Sequence, residues 1–447
     1  MTDPAPAPVD DAVAVRRLYD RLGFGRPPGQ TGHGPGLAAV CDALLDPSAP
    51  ARDAGVRATP PPRLDPPPPR PTKKKGADPA AVKRFNQQIQ DQQNTLALWW
   101  LDRMTAAEAP ATERMTWFWH GHFATGAQKV HDPAQMLEQN ESQRRLAMAG
   151  FADLAQAMIV DPAMLRWLDG NSNRVGAPNE NLAREFMELF ALGVGHYGEP
   201  DVREAARALT GWMVRPTDTV ARLVAHRHDN TSKTILGSTA DFDAPGFVNL
   251  VLGRPESAPF LVGRLWSRLV SAVPPPADAQ RRLLDAYGPG RDVRALVRAM
   301  VAEPAFRDQS SALVKQPVEW LVGLLRALRV RPGQLDPKHA QALLGGLRDM
   351  GQVPFAPPSV GGWPANGAWL TTSAGLARLR LAQATTARAA LDPVTAASPP
   401  NRADAAGALL GVDAWSPRTR NALARLADAP SDLVAVAACA PEYVVSA

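Results

Sequence analysis

Helical periodicity is the feature that most constrains the fold of this chain. Apolar residues recur three and four positions apart in one segment after another, most clearly at 79–104, 180–192, 312–329 and 336–349. No strand–helix–strand alternation and no glycine-rich nucleotide-binding loop interrupts this pattern. We therefore predict a mainly α fold: a single large multi-helix domain with Pro/Gly-rich loops and at most a small β-hairpin, at 220–237.

Two segments depart from the helical pattern. Residues 1–12 are predicted to be a flexible tail that precedes one helical domain at 13–447. Residues 58–78 contain a proline run followed by three lysines, so this segment is predicted to be an extended surface loop within the domain. A docking peptide for a proline-binding groove is the alternative interpretation of the same loop.

Composition excludes several classes of protein. Cys41 and Cys439 are the only cysteines, which excludes a disulfide scaffold and a cysteine-rich zinc module. The net charge of +5 is spread over 447 residues, so nucleic-acid binding is not expected. The sequence has no apolar run of about 18 residues and no signal peptide, so we expect no membrane span and a soluble, cytoplasmic protein.

The segment 179–193, NENLAREFMELFALG, predicts a helix with carboxylates along one side. Glu185 and Glu188 lie one helical turn apart, and two like charges at this spacing repel each other. A divalent metal held together with nearby imidazoles would compensate them. A solvated helix face paired with Arg184 is the alternative, and Asn181 lies on the same side of the helix.

His120 and His122 lie in a second predicted helix, 112–126, beside tryptophans. Residues two positions apart point about 200° away from each other on a helix, so both histidines can serve one site only if the helix ends there. Gly121 between them allows such an end. Metal ligation or proton transfer is one interpretation, and burial as neutral imidazoles is the other.

The third polar cluster is the segment 226–234. In an extended strand, His226 and His228 would lie on one face and supply two nitrogens to a metal or to acid–base chemistry. Asp229 and Lys233 follow, and the lysine would bind a phosphate or carboxylate. A polar hairpin tip is the alternative.

These motifs together resemble the bacterial "domain of unknown function 1800" family. The resemblance extends from about residue 13 to residue 385 and implies one large helical unit. It departs at Gly121, where members usually carry asparagine, and at Phe190, where some carry histidine. The matching segments are, in order, WFWHGHFAT, GNSNRVGAPNENLAREFMELFALGVGHY, DVREAARALTGW, HDNTSKTILG and FAPPSVGGWP.

The resemblance also implies site residues and a partner. Family members often look exported and are encoded beside a phosphatase- or sulfatase-like family, domain of unknown function 1501, which suggests such a protein as the partner. The first residues of this sequence do not have the pattern of an export signal, so we do not expect export here. Mapped onto this sequence, the family pattern selects His120, His122, Asn179, Glu180, Asn181, Arg184, Glu185, Glu188, Gly211, Trp212, His228, Asp229, Lys233 and Trp363.

Two functions are compatible with these residues. The first is a helical enzyme, with a divalent metal as the only cofactor suggested. Its catalytic candidates are Glu185, Glu188, His228, Asp229 and Lys233, and its candidate metal ligands are His120, His122, Glu185 and Glu188. The alternative is a non-catalytic accessory or binding protein, in which the same residues form a structural polar network and the loop around Trp363 contacts a partner.

Overall fold

The computed structural model describes residues 10–27, 34–66, 78–216 and 218–446. Many of its helices begin where a short polar side chain accepts a hydrogen bond from the free backbone N–H groups of the first turn. Asp10, Asp132, Asp161 and Thr371 all cap helices in this way. The helix starts are therefore determined locally by the sequence.

Many helices follow one another through short connections, and longer segments such as 209–243 and 350–371 separate others. The first half of the chain contains α1 (Asp11–Leu22), α2 (Leu37–Leu44), α3 (Ala49–Arg52), α4 (Ala54–Arg57), α5 (Pro79–Ala106), α6 (Ala111–His122), α7 (Ala127–Val130), α8 (Pro133–Arg145), α9 (Phe151–Ile159), α10 (Pro162–Trp167), α11 (Asn181–Glu185) and α12 (Glu199–Ala208). The second half contains α13 (Ala244–Leu252), α14 (Ser257–Leu269), α15 (Ala277–Tyr287), α16 (Val293–Ala302), α17 (Pro317–Ala327), α18 (Pro337–Asp349), α19 (Thr372–Thr386), α20 (Asp392–Thr395), α21 (Arg402–Leu410), α22 (Pro417–Ala424), α23 (Pro430–Ala437) and α24 (Pro441–Val444).

Strands are few and short, which confirms the mainly α prediction. Three antiparallel pairs occur within the described ranges: β1 (Trp212–Met213) with β2 (Arg222–Leu223), β3 (Lys233–Ile235) with β4 (Ser238–Ala240), and β5 (Leu313–Val314) with β6 (Val445–Ser446). Only β3 and β4 form a tight hairpin. Its two turn residues, Leu236 and Gly237, both have positive φ, as the twist of a two-residue hairpin requires. The predicted hairpin is thus real, but it lies at 233–240 and two further strand pairs accompany it.

The buried side chains form two apolar clusters. The first is built mainly by α1, α2, α9 and α12–α16, and the second by α5, α17–α19, α21 and α23. Helix α6 contributes to both: Met115 and Trp119 pack in the first cluster, whereas Trp117 packs in the second. The last turn of α6 therefore lies between the two halves of the buried interior, which is where the two histidines are found.

Most of the predicted tail at 1–12 and about half of the predicted loop at 58–78 lie outside the described ranges. Helix α1 begins at Asp11, two residues inside the predicted tail, and residues 1–9 are outside the described ranges. Residues 58–66 have no helix or strand and are mostly exposed, residues 67–77 are outside the description, and α5 starts at Pro79. No helix in the described part of the chain is long and apolar enough to cross a membrane.

Candidate functional site

His120 is a fully buried imidazole on α6. Its Nε2 accepts a hydrogen bond from the backbone N–H of Phe355 at 3.0 Å. Its ring centroid lies 5.3 Å from that of Trp100 and 5.4 Å from that of Trp363. Removal from water lowers the pKa of His120 to about 3, so the ring is neutral at neutral pH. His120 thus joins α6 to the loop that follows α18, as expected for the buried, neutral interpretation.

His122 packs on the other side of α6, against Phe123 and Phe190. Its Nε2 lies 3.0 Å from the backbone oxygen of Phe190. A carbonyl oxygen only accepts, so Nε2 carries the proton and Nδ1 is left as an acceptor. Nδ1 is buried and has no hydrogen-bond partner among the described residues. Burial, with the nearby cation of Arg264, lowers the pKa of His122 to about 3. The two histidines therefore contact different surroundings.

The carboxylate helix is less regular than the sequence suggests. Helix α11 ends at Glu185, and residues Phe186–Ala191 continue as a π-helix, a rare geometry that is frequent at functional sites. Both carboxylates are half-buried, and the Tyr197 hydroxyl donates a hydrogen bond to Glu188. Burial, together with the charge of Glu188, raises the pKa of Glu185.

The expected metal ligands do not gather around one point. Within the described ranges, no group of three or more His, Cys, Asp and Glu side chains is arranged to hold a metal ion. His120 and His122 have the separate partners given above, and Glu188 is bonded to Tyr197. A shared site of His120, His122, Glu185 and Glu188 therefore has no assembled ligand set in the structure.

The other polar residues in and just before α11 are paired with nearby residues. Arg184 forms ion pairs with Glu199 at 2.6 Å and with Glu180 at 3.1 Å. The Asn179 side chain accepts a hydrogen bond from the backbone N–H of Asn181 at 3.0 Å. These contacts hold the start of the helix. Arg184 is ion-paired with other carboxylates, and its charge offsets only part of the rise in the pKa of Glu185.

The 226–234 segment is not the extended strand that would align its histidines. His226 lies in a 3₁₀ turn, Ala225–Arg227, and strand β3 starts only at Lys233. The Nδ1 of His228 lies 2.9 Å from the Thr210 backbone oxygen, which accepts a hydrogen bond from the ring. The polar turn is therefore bonded to the residues that follow α12.

The charged groups of this segment are also paired. Asp229 accepts a hydrogen bond from Arg207 at 2.8 Å, and this arginine lowers the pKa of the carboxyl. The buried Lys233 ammonium donates to Asp241 at 2.8 Å. Trp212, in β1, is partly buried against the first apolar cluster. The charged residues of this segment and their partners, Arg207 and Asp241, therefore form local ion pairs.

A cavity that the sequence did not predict lies where α6 and α14 meet the loop at 351–371, which we call the tryptophan loop. It is small, with about 20 Å³ of space open to the centres of water-sized atoms. We call it the tryptophan-loop cavity; it is lined by Arg114, Trp117, Phe118, Gly121, His122, Arg264, Arg268, Gln316 and Trp363. It thus contains two of the predicted residues, His122 and Trp363, from motifs 241 positions apart.

The tryptophan loop contacts α6 backbone to backbone. The ring of Trp363 stacks on that of Trp117, with 5.2 Å between centroids. Gly362 has a φ of +77°, and a Cβ atom at this position would lie 2.2 Å from the carbonyl oxygen of Gly121. Only glycine permits this approach. The cavity therefore depends on a glycine before the tryptophan and on the close approach of the two segments.

Three arginines surround the cavity, and one of them is unpaired. Arg114 forms an ion pair with Glu319 at 2.6 Å, and Arg268 donates to the Trp363 backbone oxygen at 2.9 Å. The Arg264 side chain is partly buried and makes no hydrogen bond or ion pair with any described residue. Burial lowers the pKa of Arg264, and that of Arg268 to about 10, because too little negative charge is near.

Three polar atoms on residues that line the cavity are buried and have no hydrogen-bond partner in the described part of the chain: His122 Nδ1, Trp363 Nε1 and Arg114 Nε. Buried polar atoms without partners are uncommon, and each calls for an explanation. Here two donors and one acceptor belong to one small cavity. With Arg264, the lining of this cavity therefore combines a cation that has no partner with these three unpartnered polar atoms.

A second cavity adjoins the first and is also lined by cationic side chains. It shares Arg114, Arg268 and Gln316 with the first. The linings of the two cavities together contain five cationic residues and two acidic ones: Arg21, Arg114, Arg264, Arg268 and Lys315 against Asp20 and Glu319. Excess positive charge away from bulk water favours an anionic ligand.

The arginines of this site were missed although the sequence carries a signal for them. Arg264 and Arg268 lie one turn apart in α14, SAPFLVGRLWSRL, which has no acidic residue to pair with them. Two arginines on an otherwise apolar helix are unusual enough to mark a binding face. Because arginine is frequent throughout the chain, this pair of arginines did not stand out in the sequence.

Comparison with known proteins identifies a family. The family described as "Protein of unknown function (DUF1800)" matches residues 17–445, nearly the whole chain. No curated protein and no solved structure matches significantly.

Proposed function

Because this chain belongs to the DUF1800 family, whose function is unknown, its role has to be inferred from its own residues, and we propose that it binds a small oxyanion in the tryptophan-loop cavity. Arg264 is the observation that carries the proposal. It is a partly buried guanidinium without a partner, between His122 and the paired Arg268. No requirement of the fold accounts for a cation in that position.

The energetics of charge burial support this function. Taking a cation out of water is costly unless an opposite charge and hydrogen bonds compensate it. An oxyanion supplies both, because its oxygens accept charge-assisted hydrogen bonds from guanidinium and indole N–H groups. Arg264, Arg114 Nε and Trp363 Nε1 offer such donors within one small cavity.

This function corresponds to the binding alternative rather than to the metal-dependent enzyme. In the proposal, the polar residues of α11 and of the 226–234 segment serve the fold through pairs such as Arg184–Glu199, Arg207–Asp229 and Lys233–Asp241. A phosphatase- or sulfatase-like partner, expected from the resemblance alone, fits an oxyanion-binding protein because such enzymes release phosphate or sulfate.

Replacing Arg264 by glutamine tests the proposed function. We expect saturating phosphate to raise the Tm of the native chain, and the Arg264→Gln variant to bind phosphate at least about tenfold more weakly, since one charge-assisted hydrogen bond is worth about 1.5–3 kcal/mol. Without anion, the variant should be as stable as the native chain or more stable, because an uncompensated cation is removed. Isothermal titration calorimetry and thermal melts measure both effects.

Arg281→Gln is the matched control. Arg281 is an exposed arginine on α15 that also has no ion pair among the described residues, so it has the same chemistry outside the cavity. Its replacement should leave phosphate binding unchanged. A native chain that no oxyanion stabilises, or equal binding by the Arg264→Gln variant, would rule out the proposed function.

A catalytic role is the second candidate function, and Glu185 favours it. Its pKa is raised by burial and by the charge of Glu188, as is common for a general acid or base. The π-helix that follows Glu185 is a geometry enriched at functional sites.

Thermal melts of Glu188 variants separate the catalytic from the structural role. If the carboxylate is structural, Glu188→Ala removes the acceptor of the Tyr197 hydroxyl and lowers stability by about 1 kcal/mol. Tyr197→Phe should then have a similar effect, whereas Glu188→Gln keeps an acceptor and relieves repulsion with Glu185. An unchanged or raised Tm for Glu188→Ala would contradict the structural role and favour the catalytic one.

A further inference from the structure

We propose that the oxyanion of the tryptophan-loop cavity carries its own hydrogen-bond donor, as hydrogen phosphate does and sulfate does not, and that His122 selects it. This inference rests on the proposed function, because it names the class of ligand for the same cavity. It assigns to His122 a role in specificity, distinct from the metal ligation that the sequence suggested.

The tautomer of His122 is set by its surroundings. Nε2 lies 3.0 Å from the Phe190 backbone oxygen, which has no proton to give, so the ring proton is on Nε2. This leaves a lone pair on Nδ1, and that atom is buried without a partner. The ring cannot readily gain a second proton, because burial and the Arg264 cation both oppose it. Nδ1 therefore acts as an acceptor only.

An acceptor beside several donors discriminates between oxyanions. The cavity offers N–H groups of Arg264 and of Trp363 to the charged oxygens of a ligand, and a single lone pair at His122. A ligand with oxygens and one O–H group satisfies both kinds of partner. A fully deprotonated anion places an oxygen lone pair against Nδ1 or leaves Nδ1 desolvated and unpaired, and either outcome weakens binding.

The size of the cavity fits such a ligand. Only about 20 Å³ is open to the centres of water-sized atoms, which excludes a large cofactor and leaves room for nothing bigger than a compact anion. Hydrogen phosphate has the required oxygens and proton near neutral pH. A small 2-hydroxy carboxylate has the same chemistry, namely a charged group and an adjacent hydroxyl, so the test includes both.

The experiment compares two matched pairs of anions on the full chain by isothermal titration calorimetry at constant ionic strength and neutral pH. Sulfate has the shape of phosphate without its proton, and acetate has the carboxylate of glycolate without its hydroxyl. We expect the protonated or hydroxylated member of at least one pair to bind about tenfold or more tightly than its counterpart, and the tighter pair identifies the source of the ligand.

The His122→Gln variant isolates the role of the ring. A glutamine amide can still donate to the Phe190 carbonyl while removing the acceptor at the Nδ1 position, so the preference should fall to nearly one while binding persists. His122→Phe, which keeps the aromatic volume, is the second variant if the first does not fold. If both are unstable, the two anion pairs on the native chain decide the question.

The possible failures are distinguishable. If no anion binds the native chain, the proposed function is wrong and this inference falls with it. If phosphate and sulfate bind equally, and glycolate and acetate as well, the cavity binds oxyanions but His122 does not select among them. A preference for sulfate, or a phosphate preference that persists in His122→Gln, also overturns the inference.

Discussion

Replacing Gly362 by alanine is expected to abolish oxyanion binding and to lower the free energy of unfolding by about 2–4 kcal/mol. The φ of +77° is costly for any residue with a Cβ atom. The new Cβ would also lie 2.2 Å from the Gly121 carbonyl oxygen, a backbone atom that no rotamer change can move. The tryptophan loop must therefore separate from α6, and the stacking of Trp363 on Trp117 is lost with it.

Two neighbouring glycines provide the controls for this prediction. A Cβ at Gly361 would meet only the Ser359 hydroxyl, at 3.6 Å, and a Cβ at Gly121 would approach the Trp363 ring no closer than 3.9 Å. Gly361→Ala should thus nearly preserve both stability and phosphate binding, and Gly121→Ala, which changes the cavity lining, should nearly preserve stability. Urea denaturation and calorimetry on the three variants measure the effects. Wild-type stability and affinity in Gly362→Ala would show that the close approach is not needed.

Replacing Glu113 by alanine is expected to destabilise the protein by about 3–5 kcal/mol. The carboxylate is buried at 1% exposure and accepts hydrogen bonds from Arg103 and Arg144 at 2.7 Å and from Trp100 at 3.0 Å. Burial by itself raises the pKa of Glu113, but the two arginines outweigh it and hold the pKa below its ordinary value. Its removal leaves two buried guanidinium groups without their shared partner.

Glu141→Ala is the control for Glu113. Glu141 also pairs with Arg144, at 2.6 Å, but its side chain is 25% exposed, so water replaces the lost contact and the cost should stay below about 1 kcal/mol. Because the folded state lowers the pKa of Glu113, the stability it contributes is present above the unfolded pKa and is lost as pH falls through the folded pKa. Urea titrations at neutral and acidic pH measure this dependence. Similar losses for both variants would contradict the role of burial.

Several features were predictable because they depend on neighbouring residues. Periodicity predicted helices at 79–104, 312–329 and 336–349, and the structure has α5, α17 (Pro317–Ala327) and α18 in these segments. The motif resemblance predicted the family that the profile match confirms. The π-helical turn after Glu185 was not predictable, because its apolar pattern is the same as that of an ordinary α-helix.

The candidate site was predictable only in part. His122 and Trp363 belonged to recognised motifs, but nothing in the sequence placed them in one cavity. His120 and His122 were expected to face opposite ways unless α6 ended between them. The helix continues to His122, and they contact different partners. Asp229 and Lys233 looked available for chemistry, yet each is paired with a charge that folding brings close.

The sequence by itself determined where helices start and stop, because periodicity and capping act over a few residues. Only the tertiary structure decided which charges are paired. Arg114 meets Glu319 across 205 positions of the chain, whereas Arg264 meets no carboxylate at all in the described ranges. Whether a buried cation is compensated depends on distances within a few ångströms between distant segments, so an unpaired arginine becomes visible as a binding site only after the helices have packed.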